Sequence, residues 1–294
     1  MNQTLTRPRP LQTARNYLEL VKFSHTIFAL PFALASMLVA AHGLPAARIF
    51  WWILAAMVTA RTAAMGFNRI VDRELDARNP RTAGRELPAG KVSLPGAIGL
   101  VLISSLLFFI SAWQINLLAL LLSPLTLATL FLYSFCKRFT SLSHFVLGLC
   151  LGIAPVGAWV AVTGTIEAAP CVLCAAIIAW VAGFDIIYAT MDAEFDRAAG
   201  LNSMVTKLGV ARALNLARGT HLLFLAFLLA FGWLSGLGAL YFGAVALIGG
   251  FVFYEHLLVR PDDLRRVNAA FFTVNGAISA FFLVAVAASV FWKI

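Results

Sequence analysis

An all-α polytopic membrane bundle is the fold class this sequence predicts, and three observations carry it. Of 294 residues, 61% are hydrophobic and 12% charged, well above the apolar share of an ordinary water-soluble domain. Apolar runs of bilayer-spanning length recur along the whole chain. The alternating pattern of a membrane barrel is absent, so helices must satisfy the backbone of those runs.

The elements follow in chain order. Residues 1–20 read as a short polar tail. The first apolar run, 24–42, is of spanning length and no small-residue cleavage pattern follows it, so it is read as a membrane helix and not a cleavable signal. Further spans are expected at 49–67, 96–112, 114–134, 143–163, 170–190, 212–231, 237–257 and 269–292, nine in all, within one domain covering 1–294. Two connections are long and polar: 72–95, rich in Arg, Pro and Gly, and 191–211. Cys136, Cys150, Cys171 and Cys174 lie in or near apolar segments. The Cys171/Cys174 pair lacks a second pair or a strand context, and it reads as membrane-buried small residues.

The net charge of +9 is distributed for a membrane, not for nucleic acid. With nine spans, 20 of the 22 Lys and Arg fall on one side, leaving Arg48 and Lys293 opposite. The positive-inside rule then places the N-terminus and both long loops on the cytoplasmic side of a bacterial inner membrane, and the C-terminus outside.

The 13 acidic residues are used unevenly. Asn68, Asp72 and Asp76 stand at the end of one apolar segment, and Asp185, Tyr188, Asp192 and Asp196 at the end of another. Each holds aspartates four apart, which a helix places on one face. The second copy follows the first by about 120 residues, a weak internal repeat of the sort that meets at a shared membrane site. Mg²⁺ takes one or two carboxylates together with substrate phosphates. Two carboxylate pairs beside apolar helices therefore suit a prenyl diphosphate, with its anionic head among the aspartates and its tail among the helices. Metal and nearby Lys or Arg would stabilise diphosphate as leaving group, in a cavity dry enough to protect an allylic cation. Asp185 lies deeper than the pairs, where an ionisable group is functional by default. Glu86, Glu194, Asp262 and Asp263 read instead as solvated helix ends.

These residues resemble the UbiA superfamily of intramembrane aromatic prenyltransferases, over essentially the whole chain. Asn68, Asp72 and Asp76 match its NxxxDxxxD motif, continued by Arg81-Thr82 and by Arg85-Glu86-Leu87-Pro88-Ala89-Gly90. Asp185, Tyr188, Asp192, Asp196, Gly200 and Ser203 match DxxYxxxDxxxDxxxGxxS. Tyr133, Lys137, Arg138 and Thr140 match the YxxxKRxT loop between the fourth and fifth helices.

The resemblance implies a nine-helix bundle with a central apolar cavity and roles for these residues. Asp72, Asp76, Asp192 and Asp196 would bind Mg²⁺, with Asn68 assisting. Lys137, Arg138 and Arg81 would neutralise the diphosphate, and Lys22 stands where the family places a basic residue near the head group. Asp185 and Tyr188 would face the reacting carbons. Arg61, two turns deeper than Asn68 on the same helix, has the fork to grip an acceptor carboxylate. The partners expected are a polyprenyl diphosphate, a small aromatic acid and the lipid bilayer, with no nucleic acid and no obligatory protein partner.

Two departures bear on the acceptor. Arg69 follows Asn68 where the benzoate enzymes carry Asp, and Asn202 precedes Ser203 where they carry Lys. Both weaken the case for 4-hydroxybenzoate, and His25-Thr-Ile-Phe-Ala-Leu-Pro-Phe and Asn79-Pro-Arg-Thr resemble a subgroup with members linked to dihydroxynaphthoate prenylation in the futalosine route to menaquinone. Both 4-hydroxybenzoate and 1,4-dihydroxy-6-naphthoate therefore stand as acceptors, in ubiquinone or menaquinone biosynthesis. A secondary transporter of a phosphorylated or cationic solute is the alternative of another class. Its acidic sites lie near the bilayer midplane on broken helices, whereas these pairs lie at helix ends.

Overall fold

A computed structural model of the chain describes residues 10–21 and 28–292. Among them the regular structure is helical, with one isolated bridge between Arg260 and Asp263. Helix α1 is Pro10–Leu20 and α2 is Leu30–Ala40, started by Pro31, whose preset φ suits a first helical turn. The chain continues through α3 (Ala47–Val71), α4 (Arg73–Arg78), α5 (Leu94–Ile115) and α6 (Leu117–Phe139). Then come α7 (Ser143–Thr163), α8 (Ala168–Ala189), α9 (Ala193–Ala198) and α10 (Met204–Leu208). It closes with α11 (Val210–Leu234), α12 (Ala239–Leu258) and α13 (Asn275–Trp292), the last led in by a π-helical turn at Ala269–Val274.

Among the described residues eight helices are long and apolar enough to cross a membrane. The ninth expected span corresponds to α2, which has 11 residues in the described part of the chain. Lys22 and His25 lie outside the described residues. Trp51 at the start of α3 and Trp113, Trp233 and Trp292 at the ends of α5, α11 and α13 are exposed, in the manner of an aromatic belt at a membrane interface.

Lipid offers apolar side chains as good a home as a neighbouring helix does, so close backbone approach holds such a bundle together. The sequence supplies it on α7. A Cβ on Gly148 would stand 2.7 Å from the backbone of Ile178, and one on Gly152 would stand 2.8 Å from Cys174 Sγ. Helix α8 is consequently sandwiched between α7 and α11, and it is the most buried of the spans. One buried polar chain links three helices: Trp180 Nε1 donates to Asn275 Oδ1 at 2.7 Å, and Asn275 Nδ2 donates to Glu255 Oε1 at 2.8 Å. All four cysteines are free thiols.

Candidate active site

The ends of α3, α6 and α8 converge on one face of the bundle and bring both acidic clusters around one cavity of about 530 Å³. It is lined by Arg61, Asn68, Asp72, Asp76, Arg81, Lys137, Arg138, Asp185, Tyr188, Asp192 and Asp196. Every site residue expected from the sequence within the described chain therefore reaches the same space; Lys22 lies outside the described residues.

Local geometry explains the spacing. Helix α3 ends at Val71, but Asp76 N–H still donates to Asp72 O at 2.8 Å, so the four-residue relation survives the break before α4. A 3₁₀ turn at Thr190–Asp192 makes the equivalent step from α8 into α9. The expected loop over Tyr133–Thr140 is a helix instead. Helix α6 runs to Phe139, so Lys137 and Arg138 occupy its last turn, where cations complement the carbonyl end of the helix dipole.

Each paired aspartate meets its own cation. Arg138 Nη2 donates to Asp72 Oδ1 at 3.1 Å, and Arg85 Nη1 to Asp76 Oδ1 at 2.6 Å. Arg81 engages both oxygens of Asp192, with Nε to Oδ1 at 2.8 Å, and Lys137 Nζ lies 3.5 Å from Asp196 Oδ2. Lys137 and Arg138, neighbours in sequence, thus serve different clusters. Arg81 also donates from Nη1 to the Tyr188 hydroxyl at 3.0 Å. Asn68 Nδ2 donates to Asp72 Oδ2 at 2.9 Å. Burial pushes the Asp72 carboxyl above the usual aspartate value, against the lowering charge of Arg138.

The donor set suits a hard divalent cation, being carboxylate and amide oxygen throughout. Asp76 Oδ2 is buried with no hydrogen bond, and Arg69 Nη1 lies 3.9 Å from it. Among the described residues no three acidic, His or Cys side chains converge as a complete metal cage.

Several residues around the site were not singled out by motif alone. Asn79 Nδ2 donates to Asp192 Oδ1 at 3.2 Å, and Arg85 supports Asp76 as above. Arg69, the departure at the first motif, is buried; its Nε donates to Leu20 O of α1 at 3.3 Å. Asn202, the second departure, donates its backbone N–H to Lys137 O at 2.8 Å and so fixes the second loop to the end of α6. Glu86 is a correction: it is buried and not solvated, because residues 86–92 fold back so that Leu87 and Val92 pack with Leu20 and Ala97. Asn79 and Glu86 lack a periodic signal, since they act through chain reversal within a polar loop; Arg69 sits in the last turn of α3.

A second, apolar chamber of about 580 Å³ adjoins the first between α3, α5, α6 and α7. The two share Arg61, Met65, Asn68, Tyr133, Leu147 and Leu151 as walls. From Asn68 down to Ile53 the lining of α3 descends about 22 Å, at the helical rise per residue.

Known proteins with this arrangement exist. The UbiA prenyltransferase family model matches residues 29–290. The chain is 31% identical over 236 residues to a 4-hydroxybenzoate octaprenyltransferase of Tolumonas auensis, covering 80% of this chain and 82% of that one. It is 32% identical over 228 residues to the enzyme of the same name from Cronobacter sakazakii, covering 76% and 78%. Among solved structures, an apo UbiA homologue from Aeropyrum pernix K1 superposes with a TM-score of 0.81 at 36% identity, covering 92% of this chain and 98% of that one. A UbiA homologue from Archaeoglobus fulgidus bound to DMAPP and Mg²⁺ shares the fold, with a TM-score of 0.74 at 20% identity, covering 94% and 99%.

Proposed function

Because the chain belongs to the UbiA prenyltransferase family and is an integral membrane enzyme of that type, we propose that it transfers a polyprenyl group from a polyprenyl diphosphate to an aromatic acid. The observation that carries this reading is the adjoining pair of chambers. One is walled by five aspartates, four of them paired with cations, and the other is an apolar limb running back through the bundle. Such a space matches a ligand with an anionic head and a hydrocarbon tail. The structural relative holding DMAPP and Mg²⁺ supports the same donor chemistry.

Asp72, Asp76, Asp192 and Asp196, with Asn68, would hold Mg²⁺, which when bound supplies charge neutralisation for a diphosphate leaving group. Lys137, Arg138 and Arg81 orient the diphosphate oxygens through charge-assisted hydrogen bonds. The C–O bond to the allylic carbon breaks with its electron pair leaving on diphosphate. The allylic cation is then captured by a ring carbon of the acceptor, which afterwards loses its proton. Asp185 and Tyr188 face these reacting carbons. The rings of Phe184, Phe271 and Tyr188 form a wall, with Tyr188 and Phe271 centroids 4.2 Å apart, that excludes water and favours a passing cation. Arg61, shared by both chambers, grips the acceptor carboxylate. The active face is cytoplasmic, by the distribution of basic residues.

The named relatives favour 4-hydroxybenzoate as acceptor; the Arg69 and Asn202 departures count against it, and the Asn79-Pro-Arg-Thr run favours 1,4-dihydroxy-6-naphthoate. Incubating membranes that contain the protein with Mg²⁺, a polyprenyl diphosphate and each acceptor in turn, with products identified by mass, decides between them. A prenylated product from either supports the transferase reading. No product from both, with solute flux in vesicles, overturns it.

A further inference from the structure

His144, the second residue of α7, is fully buried and touches two parts of the site at once. Its Nδ1 lies 2.6 Å from Asp185 Oδ2. Its Nε2 lies 3.3 Å from the backbone nitrogen of Met204, the first residue of α10. A backbone amide only donates, so Nε2 must be the bare acceptor nitrogen. The ring proton is therefore on Nδ1, directed at the carboxylate. The two contacts together assign one tautomer and one orientation.

The packing of α7 on α8 makes this reach possible. Gly148 and Gly152 follow His144 at successive turns on one stripe, against Ile178 and Cys174. In this antiparallel pair the same stripe delivers His144 to the turn of α8 that carries Asp185. The Met204 amide is one of the unpaired donors that begin any helix. Ser203, the N-cap of α10, closes a capping box with Thr206, and Asn202 is tied to Lys137 O. Met204 thus sits on the well-anchored end of the loop that descends from Asp192 and Asp196.

We propose that His144 is a positioning residue of the transfer reaction: its Nδ1–H holds the Asp185 carboxylate in one orientation at the cavity, and its Nε2 ties that orientation to the loop following the second aspartate pair. Asp185 keeps part of its surface open to the cavity, with its side chain 17% exposed. Held from behind by one oxygen, it presents the remainder to the reacting carbons in a fixed attitude. The arrangement follows the general pattern of a neutral imidazole whose two nitrogens have separate duties, one donating to a carboxylate and the other set by its second partner. The inference rests on the transferase reading above.

Two substitutions separate the two nitrogens. An Asn side-chain amide reaches about as far as Nδ1, and a Gln amide about as far as Nε2. His144→Asn therefore keeps a donor for Asp185, and His144→Gln keeps an acceptor for Met204 N–H. The full-length protein in detergent is assayed with Mg²⁺, geranyl diphosphate and the acceptor that the wild type uses. The expected result is that His144→Gln lowers kcat about 10- to 100-fold with the KM for geranyl diphosphate unchanged, while His144→Asn, which keeps the donor and loses the tie to Met204, retains a kcat between that of His144→Gln and that of the wild type. In an Asp185→Asn background, His144→Gln should cost nothing further. Equal losses for the Asn and Gln variants, a wild-type kcat for His144→Gln, or an additive loss beside Asp185→Asn would overturn the inference while leaving the transferase reading intact. If His144→Gln fails to fold, His144→Leu takes its place, with the same loss expected and the same results overturning the inference. No transfer by the wild-type protein to any acceptor overturns both readings.

Discussion

Arg81 and Asp192 are 111 residues apart in sequence and meet through two parallel contacts, Nε to Oδ1 at 2.8 Å and Nη2 to Oδ2. This pair closes the loop after α3 onto the end of α8, and so makes one site from two acidic clusters. A planar guanidinium suits such a fork, and it has a further nitrogen to reach Tyr188.

Lysine at position 81 would keep the charge and lose the fork. Arg81→Lys is expected to lower kcat/KM for a prenyl diphosphate by about 10-fold. Steady-state kinetics at saturating Mg²⁺ provide the check, and a variant indistinguishable from wild type would show that the fork is dispensable.

Protonation of Asp72 competes with metal. Burial sets its carboxyl above the usual aspartate value, with Arg138 pulling it down. A raised value means that the proton binds, and the Mg²⁺ ligand is lost, at a higher pH than for an ordinary aspartate. Arg138→Ala removes the lowering charge, so the acid side of the Mg²⁺ affinity profile should move to higher pH still. Titrating Mg²⁺ activation between about pH 5 and pH 7 tests the sign; a shift toward lower pH, or none, would contradict it.

The approach of α7 to α8 can be tested by volume alone. Gly148→Ala places a Cβ 2.7 Å from Ile178 backbone atoms, which cannot swing aside. The cost expected is about 1–3 kcal/mol, the range for overpacking. Gly157→Ala, on the same helix with nothing within 4 Å, is the matched control and should be neutral or mildly stabilising. Thermal melts of the two variants in detergent should diverge by several degrees; coincident melts would mean that the helices are not in close contact at Gly148.

Arg61 stands where the polar and apolar chambers join. Arg61→Ala should raise the acceptor KM more than the donor KM, measured by varying each substrate in turn. Equal effects on the two would sink the carboxylate grip.

Much of this was legible in the chain itself because membrane helices and the two DxxxD spacings are local signals. Asp72 and Asp76, or Asp192 and Asp196, need only one helical turn to lie together. Long-range pairing was harder to read. Nothing in the sequence around Arg81 announces that it closes on Asp192, nor that Arg85 and not a residue nearer in sequence would serve Asp76. Glu86 looked solvated because it sits among Arg, Pro and Gly, and it is buried because the chain folds back over Leu87 and Val92. Lys137 and Arg138 looked like loop residues, and the apolar run of α6 carries its helix on through them. His144 had no motif partner in sequence; its meaning depends on Gly148 and Gly152 drawing α7 against α8.

The central claim is that both acidic clusters serve one Mg²⁺-dependent diphosphate site. The most direct measurement is prenyl transfer by purified Asp72→Ala and Asp192→Ala, one from each cluster, across a Mg²⁺ titration, with folding in detergent verified beside it. Each variant is expected to stay folded and to lose about 100-fold or more of its turnover. Near-normal Mg²⁺-dependent transfer by either folded variant would contradict the shared site.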